Sequence, residues 1–313
     1  MTTLFLTHEA CLRHDMGYGH PECPARLVAV NQALLEPRFE KLLRGEAPEG
    51  TLDAVAFCHS EHYIQELRYL APTDGVIHID GDTAMSPGSW EAILRSVGGA
   101  TAATEAVLTG IADNAFVATR PPGHHAEIGH AMGFCFFDNA AIAARYAQRR
   151  FGIERVAVVD FDVHHGNGTQ DIFWADPTVM YCSTHEMPLF PGTGAASERG
   201  DHGTIVNAPL RPGDGSEEFR AAFEERILPR LRAFAPEFLV ISAGFDAHRN
   251  DPLATLELEE ADFAWVTHRL MDIAATTAEG RIVSVLEGGY DLQSLAESVK
   301  AHVGALMATR PLP

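Results

Sequence analysis

The sequence predicts an α/β fold: a single domain over 1–313, built on a mostly parallel central sheet with helices on both faces and long loops at the strand carboxyl ends. Three observations predict it. Short apolar, β-branched runs recur along the chain, helical patterns separate them, and long glycine- and proline-rich stretches adjoin them. The runs Thr3–Leu6, Ala115–Ala118, Arg155–Val159, Val179–Ser183, Phe238–Ser242 and Arg281–Leu286 read as strands buried on both faces. Helical patterns lie near 24–35, 88–109, 137–150, 216–234, 259–278 and 291–308. For the second of these, Ser86-Pro87 fits an N-cap with proline at the first helical position, and Gly110 fits a stop. The loops at 11–24, 71–88, 120–134, 185–203 and 244–257 would build the rim on which open parallel sheets bind ligands. No repeat, low-complexity tract or long linker divides the chain.

Composition removes several function classes. Apolar residues make up 46% of 313, enough for a sizeable core. Twenty-three basic against 43 acidic residues give a net charge of −20, which repels phosphate backbones and attracts cationic substrates. Nucleic acid is thereby excluded as a ligand. The only lysines are Lys41, in a helix-like stretch, and Lys300, near the end, so Schiff-base chemistry and a phosphate-loop lysine lack a donor. Five cysteines form no Cys-x-x-Cys, and free thiols suit a reducing compartment. With no long apolar run and no secretory leader pattern, the expectation is a cytoplasmic protein that does not engage a membrane.

The segment Arg155 to Gly168 carries the central chemistry. After the apolar positions 156–159, Asp160, Asp162 and His164 follow at alternate positions, which a continuing strand would send to one side. Carboxylates crowded on one face repel unless a cation lies between them, and two oxygens with an imidazole nitrogen suit a divalent transition metal. The plainer reading is a strand-end cluster that caps the next helix. A catalytic metal needs a third protein ligand, and the run Phe238 to His248 offers both Asp246 and His248.

Arg120-Pro-Pro-Gly-His-His125 follows another buried run and holds two imidazoles on a stiffened loop. Histidine suits proton transfer near neutrality, although an isolated pair is more often inert. Glu287-Gly-Gly-Tyr290 delivers a phenol that can donate to an oxyanion or merely pack against the following helix. A Gly-x-Ser-x-Gly elbow and a helix-opening dinucleotide fingerprint are both missing.

Taken together, these residues resemble the zinc-dependent, arginase-like deacetylases: histone deacetylases, above all the class II type, with bacterial relatives and acetylpolyamine amidohydrolases. The resemblance runs from about His20 to His302. It rests on His20-Pro-Glu22 with Arg26, the 120–125 and 160–168 segments, Gly133-Phe-Cys-Phe136, Phe190-Pro-Gly-Thr-Gly194, Ser242-Ala-Gly-Phe-Asp246 and Glu287-Gly-Gly-Tyr290. It implies an arginase/deacetylase-like fold and a catalytic zinc, with ferrous iron as the alternative ion, held by Asp162, His164 and Asp246. It implies His125 as general base and acid, His124 as its electrostatic partner and Tyr290 as the group polarising the amide carbonyl. Asp160 would orient His124 and, with Ser183 and Thr184, enclose a structural potassium ion. Asn167 stands where class I members carry an acid, which leaves the neighbouring imidazole less basic. Phe134 and Phe190 would line a channel beside Gly133, Leu253 would stand at its gate, and Asp82 would accept a peptide N–H.

The implied reaction removes an acetyl or short acyl group from the lysine ε-amine of a protein or peptide. Acetylpolyamine is the alternative substrate, and the leucine at 253, where polyamine-selective relatives carry a glutamate, favours lysine. A two-metal ureohydrolase is a more distant reading, because Gly166 falls where a second-metal aspartate would be needed. A non-catalytic acyl-lysine reader fits poorly with a full set of chemical groups.

Overall fold

Strands with apolar residues on both faces need two cores, and the run Val156–Asp160 shows both. Val156 and Val158 enter one apolar cluster, Ala157 and Val159 the other. The computed structural model describes residues 1–308, so the last five residues of the domain expected over 1–313 lie outside them. The strands are β1 (Thr3–Thr7), β2 (Leu43–Glu46), β3 (Ile77–His78), β4 (Ala84–Met85), β5 (Asn114–Val117), β6 (Val156–Asp160), β7 (Val179–Glu186), β8 (Ile205–Leu210), β9 (Phe238–Ala243) and β10 (Ile282–Leu286). The helices are α1 (Pro24–Ala33), α2 (Leu52–Val55), α3 (Glu61–Leu70), α4 (Ser89–Leu108), α5 (Asn139–Phe151), α6 (Asn167–Phe173), α7 (Ser216–Ala222), α8 (Leu228–Phe234), α9 (Glu260–Thr277) and α10 (Leu292–Met307).

Eight strands form one sheet in the order β2-β1-β5-β10-β9-β6-β7-β8, with every neighbouring pair parallel. The remaining two, β3 and β4, make a small antiparallel hairpin. Residues of α3, α4 and α5 pack on one face of the sheet, and residues of α1, α7, α8, α9 and α10 on the other. The strands that precede the motifs, β5, β10, β9 and β6, stand side by side. Parallel pairing brings all four carboxyl ends to one edge. Among the described residues, no helix is long and apolar enough to cross a membrane.

Several local expectations are corrected. The edge strand β2 was not expected, because Leu-Arg-Gly-Glu is mostly exposed and carries no apolar run. The opposite edge, β8, holds Asn207 and Pro209, residues that only an edge or strand end tolerates well. Lys41 lies between the short turn Pro37–Phe39 and β2 rather than in a helix. The helix expected from 88 starts at Ser89 with Gly88 as its cap, because Gly88 takes a left-handed φ of 96° that ends the preceding chain direction. Ser86 is not the cap: its N–H donates to Ser89 Oγ at 2.8 Å and its own Oγ accepts from Asp15 N–H at 3.0 Å. The pattern at 216–234 is broken by a wide π turn at Phe223–Ile227, next to Pro229, which has no N–H for a regular ladder.

A buried ion cluster ties the loops at the motif edge together. Glu22 accepts from Arg26 Nη1 at 3.0 Å and from Arg120 Nη2 at 2.6 Å, and all three side chains are fully buried. Arg120 Nη1 also donates to the carbonyls of Cys11 and His14, at 2.8 and 3.0 Å. Arg26 donates to the carbonyls of Gly289 and Glu287, at 2.6 and 2.5 Å. Burial pushes the Glu22 carboxyl up, but Arg120 and Arg26 outweigh it and bring it from 4.5 down to about 2. Its stabilisation is therefore whole above pH 4.5 and is lost as pH falls through about 2. Glu22→Ala leaves two guanidinium groups buried without their anion and should cost about 3–5 kcal/mol in urea unfolding at pH 7; a change below about 1 kcal/mol would contradict this role.

Candidate active site

β6 ends at Asp160, and the chain turns into an irregular segment before α6. The three alternate side chains therefore do not continue along one strand face. Asp160 Oδ2 accepts from the Tyr181 hydroxyl and faces His124 Nδ1, both at 3.0 Å. Asp162 and His164 turn instead towards the end of β9. His164 Nδ1 lies 3.2 Å from Asp162 Oδ1 and 3.1 Å from Asp246 Oδ2. One ligand atom from each of Asp162, His164 and Asp246 falls within 4.8 Å of the others, and all three residues are buried. His248 is elsewhere: its Nε2 sits 3.4 Å from Glu260 and its Nδ1 accepts from Asn250 N–H.

The outer carboxylate oxygens are fixed by backbone. Asp162 Oδ2 accepts from Gly288 N–H and Asp246 Oδ1 from Val163 N–H, each at 2.8 Å. Both carboxylates approach so closely that a Cβ on Gly288 would collide with Asp246 and Asp162, and one on Gly244 with Asp162. Electrostatics then asks for positive charge. Burial would lower the His164 imidazole, but Asp162 and Asp246 raise it to about 10. Burial and the Asp162 charge raise Asp246 to about 7. Against its own burial, Asp162 is held well below the usual carboxylate range by the charge of His124 and the contact with His164. Among the described residues, no lysine or arginine pairs with either carboxylate. Two oxygens and one nitrogen, dry and convergent, are a donor set that fits a divalent cation.

His124 and His125 lie alongside, their ring centroids 4.0 Å apart. Burial disfavours charge on His124, yet Asp160 and Asp162 raise it well above the usual imidazole value. Burial and the neighbouring histidines push His125 well below it. His125 Nδ1 lies 2.8 Å from Asn167 Oδ1, and Asn167 Nδ2 donates to Glu127 Oε1 at 2.8 Å. An amide oxygen only accepts, so this contact places the His125 proton on Nδ1 and leaves Nε2 with a lone pair. The 123–124 backbone is held by Glu287, whose Oε2 accepts from Gly123 and His124 N–H at 2.7 and 3.2 Å.

A pocket of about 210 Å³ reaches the buried His125 and His164. Phe134, Phe190 and Leu253 form apolar walls together with Leu189; Gly133 and Tyr290 also line it, and the exposed Asp82 lies at its edge. Gly133 and Phe134 both take left-handed φ values, 56° and 70°. Such backbone in a phenylalanine persists only when its surroundings enforce it. Here Phe134 N–H donates to Thr83 Oγ1 at 3.0 Å, and its ring meets His20 at 4.7 Å and Tyr290 at 5.9 Å. The Tyr290 ring packs under the Arg26 guanidinium at 4.8 Å. Beside β6, Ser183 Oγ pairs with His185 at 2.8 Å, and the buried Thr184 Oγ1 has no protein partner.

The sequence reading missed Tyr181, Glu127, Thr83 and Leu189. Tyr181 and Leu189 sit in apolar or loop stretches that mark nothing by themselves, and Glu127 and Thr83 carry no spacing signal. Glu287, by contrast, stands in the sequence as the first residue of Glu-Gly-Gly-Tyr.

The ends of four adjacent parallel strands thus gather a carboxylate–imidazole cluster, a histidine pair and a phenol. The histone deacetylase domain model matches residues 20–306. The chain is 38% identical to a probable deacetylase of Archaeoglobus fulgidus, over 98% of this chain and 87% of that one. It is also 38% identical to a histone deacetylase-like amidohydrolase of Pseudomonas aeruginosa, over 92% and 81%. An uncharacterised protein of Synechocystis sp. is 44% identical over 92% of this chain and 94% of its own length. Among solved structures, the HDA15 HD domain matches with a TM-score of 0.91 at 35% identity, covering 98% of this chain and 89% of that one. The chain belongs to the histone deacetylase family, and it is a deacetylase.

The tight approach at Gly288 gives a direct test. If the cluster holds a divalent ion, Gly288→Ala should weaken its binding by about 10–100-fold, with zinc as the probe in calorimetric titration of the folded protein; unchanged affinity would contradict the crowded arrangement.

Proposed function

We propose that this deacetylase removes acetyl groups from the ε-amine of lysine in proteins or peptides, using one divalent ion held by Asp162, His164 and Asp246. Zinc suits that donor set, with ferrous iron as the alternative. The observation that carries the reading is the apolar pocket leading to His125, His164 and Tyr290. When bound, the ion supplies Lewis acidity and a charge that eases loss of a proton from water.

The chain's own residues do the rest. His125 Nε2 takes the proton of the attacking water, since Asn167 holds the other nitrogen protonated. His124, paired with Asp160, keeps positive charge beside the base. The Tyr290 hydroxyl donates to the oxygen that gains charge as the carbonyl is attacked, a role that needs only a positioned O–H. His125 then returns its proton to the departing amine. Phe134 and Phe190 flank the four-carbon stem of lysine, and Asp82 accepts a peptide N–H at the mouth. Asp160, Ser183 and Thr184 would hold a structural potassium ion, supported by the partnerless Thr184 oxygen.

Two features support one catalytic ion rather than a pair. A Cβ at Gly166 would press against Asp160 Oδ2 and the Tyr181 oxygen, so no second-metal carboxylate fits there. His165 points away to Thr193 and Gln170, at 2.8 and 3.1 Å. Leu253 supports lysine over polyamine, because a leucine makes no charge-assisted contact to a distal ammonium.

Tyr290→Phe should lower kcat on an acetyl-lysine peptide by about 10²–10³ with the ion still bound; undiminished turnover would remove the phenol from the mechanism. Leu253→Glu should move kcat/KM from acetyl-lysine peptide towards acetylspermidine. An unchanged ratio on metal-defined protein would refute the gate reading.

A further inference from the structure

Two loops bring side chains to the pocket from adjacent strands: 244–257 after β9 carries Leu253, and 287–291 after β10 carries Tyr290. Backbone pairing joins them only at their roots, where Phe245 N–H donates to the Gly288 carbonyl at 3.0 Å. Farther out the chains part, and a side chain takes over. Asp251 is 7% exposed. Its Oδ1 accepts from Leu253 N–H at 3.0 Å. Its Oδ2 accepts from Tyr290 N–H at 2.7 Å and Asp291 N–H at 3.4 Å. Beside it, Asn250 Nδ2 donates to Ser294 Oγ at 3.2 Å, so the same tip is fastened to the start of α10.

Both oxygens of Asp251 are thus occupied by backbone donors, and the residue stands outside the ligand cluster and outside the pocket lining. What it holds is informative. One oxygen fixes the backbone of the pocket-wall residue, the other fixes the backbone of the phenol. One planar carboxylate is therefore the shared anchor of both backbones. We infer that Asp251 is a positioning residue that couples the Tyr290 hydroxyl to the Leu253 wall, so that turnover and side-chain selectivity depend on the same bridge. The turnover half rests on the proposed role of Tyr290 as the oxyanion donor; the selectivity half does not.

The test is a pair of double-mutant cycles on the metal-loaded enzyme, with Asp251→Asn as the main variant. Asparagine keeps the volume but has one accepting oxygen, so it can serve one loop and not both. Asp251→Asn should lower kcat on an acetyl-lysine peptide by on the order of tenfold, in line with the cost of sub-ångström misplacement, while ion content stays that of the parent. In the Tyr290→Phe background the same change should cost less than about twofold, because the hydroxyl it positions is already gone. The ratio of kcat/KM for acetyl-lysine peptide over acetylspermidine should shift severalfold with Leu253 present and stay put in Leu253→Ala. Asp251→Ala, which removes both acceptors, should exceed Asp251→Asn in each effect. Loss of coupling in both backgrounds, with kcat falling equally with and without the Tyr290 hydroxyl, would overturn the inference, as would loss of the bound ion in step with activity. If Tyr290→Phe itself keeps full turnover, the oxyanion reading fails, and the selectivity cycle alone decides for or against Asp251.

Discussion

Two carboxylates packed against one imidazole in a dry strand-end crevice are the constraint on which the site depends. Asp162 and Asp246 leave adjacent strands, β6 and β9, and meet at His164 without a lysine or arginine between them among the described residues. Such an arrangement is costly in isolation, since each charge has lost its water and gained a like neighbour. Backbone N–H groups of Val163 and Gly288 offset part of that cost, and glycine at 244 and 288 gives the carboxylates room. A divalent cation would meet the remaining demand, so the cluster makes sense as a ligand set and little sense as a packing solution.

Around this centre, charge is used to hold backbone. Glu22 clamps Arg26 and Arg120; Arg26 holds the carbonyls of Glu287 and Gly289; Glu287 holds the amides of Gly123 and His124. A single chain of hydrogen bonds, anchored by the Glu22–arginine ion pairs, therefore runs from α1 to the histidine pair and to the loop of Tyr290. The hydrogen bonds made by buried charges are worth more than neutral ones and fix direction as well as distance. His124, His125 and Tyr290 sit on loops, and these hydrogen bonds anchor the backbone of those loops. Preorganisation of this kind would let the phenol and imidazole of the proposed mechanism act without reorganising during the reaction.

Much of this was legible in the chain itself, for physical reasons. The central strands announce themselves because burial on both faces forces continuous apolar runs, and the carboxylates and histidines stand out because nothing in a buried strand end excuses them. The edges of the sheet were illegible: β2 is mostly exposed and β8 contains Asn207 and Pro209, so neither shows an apolar run. Spacing also misdirected. Alternation put Asp160 with Asp162 and His164, but the strand ends at Asp160, and its side chain serves His124 instead. Asp246 and His248 were equivalent from residue type; the fold brings Asp246 beside Asp162 and His164 and turns His248 to Glu260 and Asn250. Glu127 and Asp251 could not be found from sequence, because each acts through a partner 40 residues away, as Asn167 is from Glu127 and Tyr290 nearly is from Asp251.

The central claim is that one divalent ion in this cluster makes the protein a lysine deacetylase. Its most direct test is to strip the protein of metal, titrate zinc back in a calorimeter, and follow hydrolysis of an acetyl-lysine peptide in the same samples. Activity should rise in proportion to bound ion and level off at a single equivalent per chain. Hydrolysis before any ion is added, or a plateau reached only at a second equivalent, would contradict it.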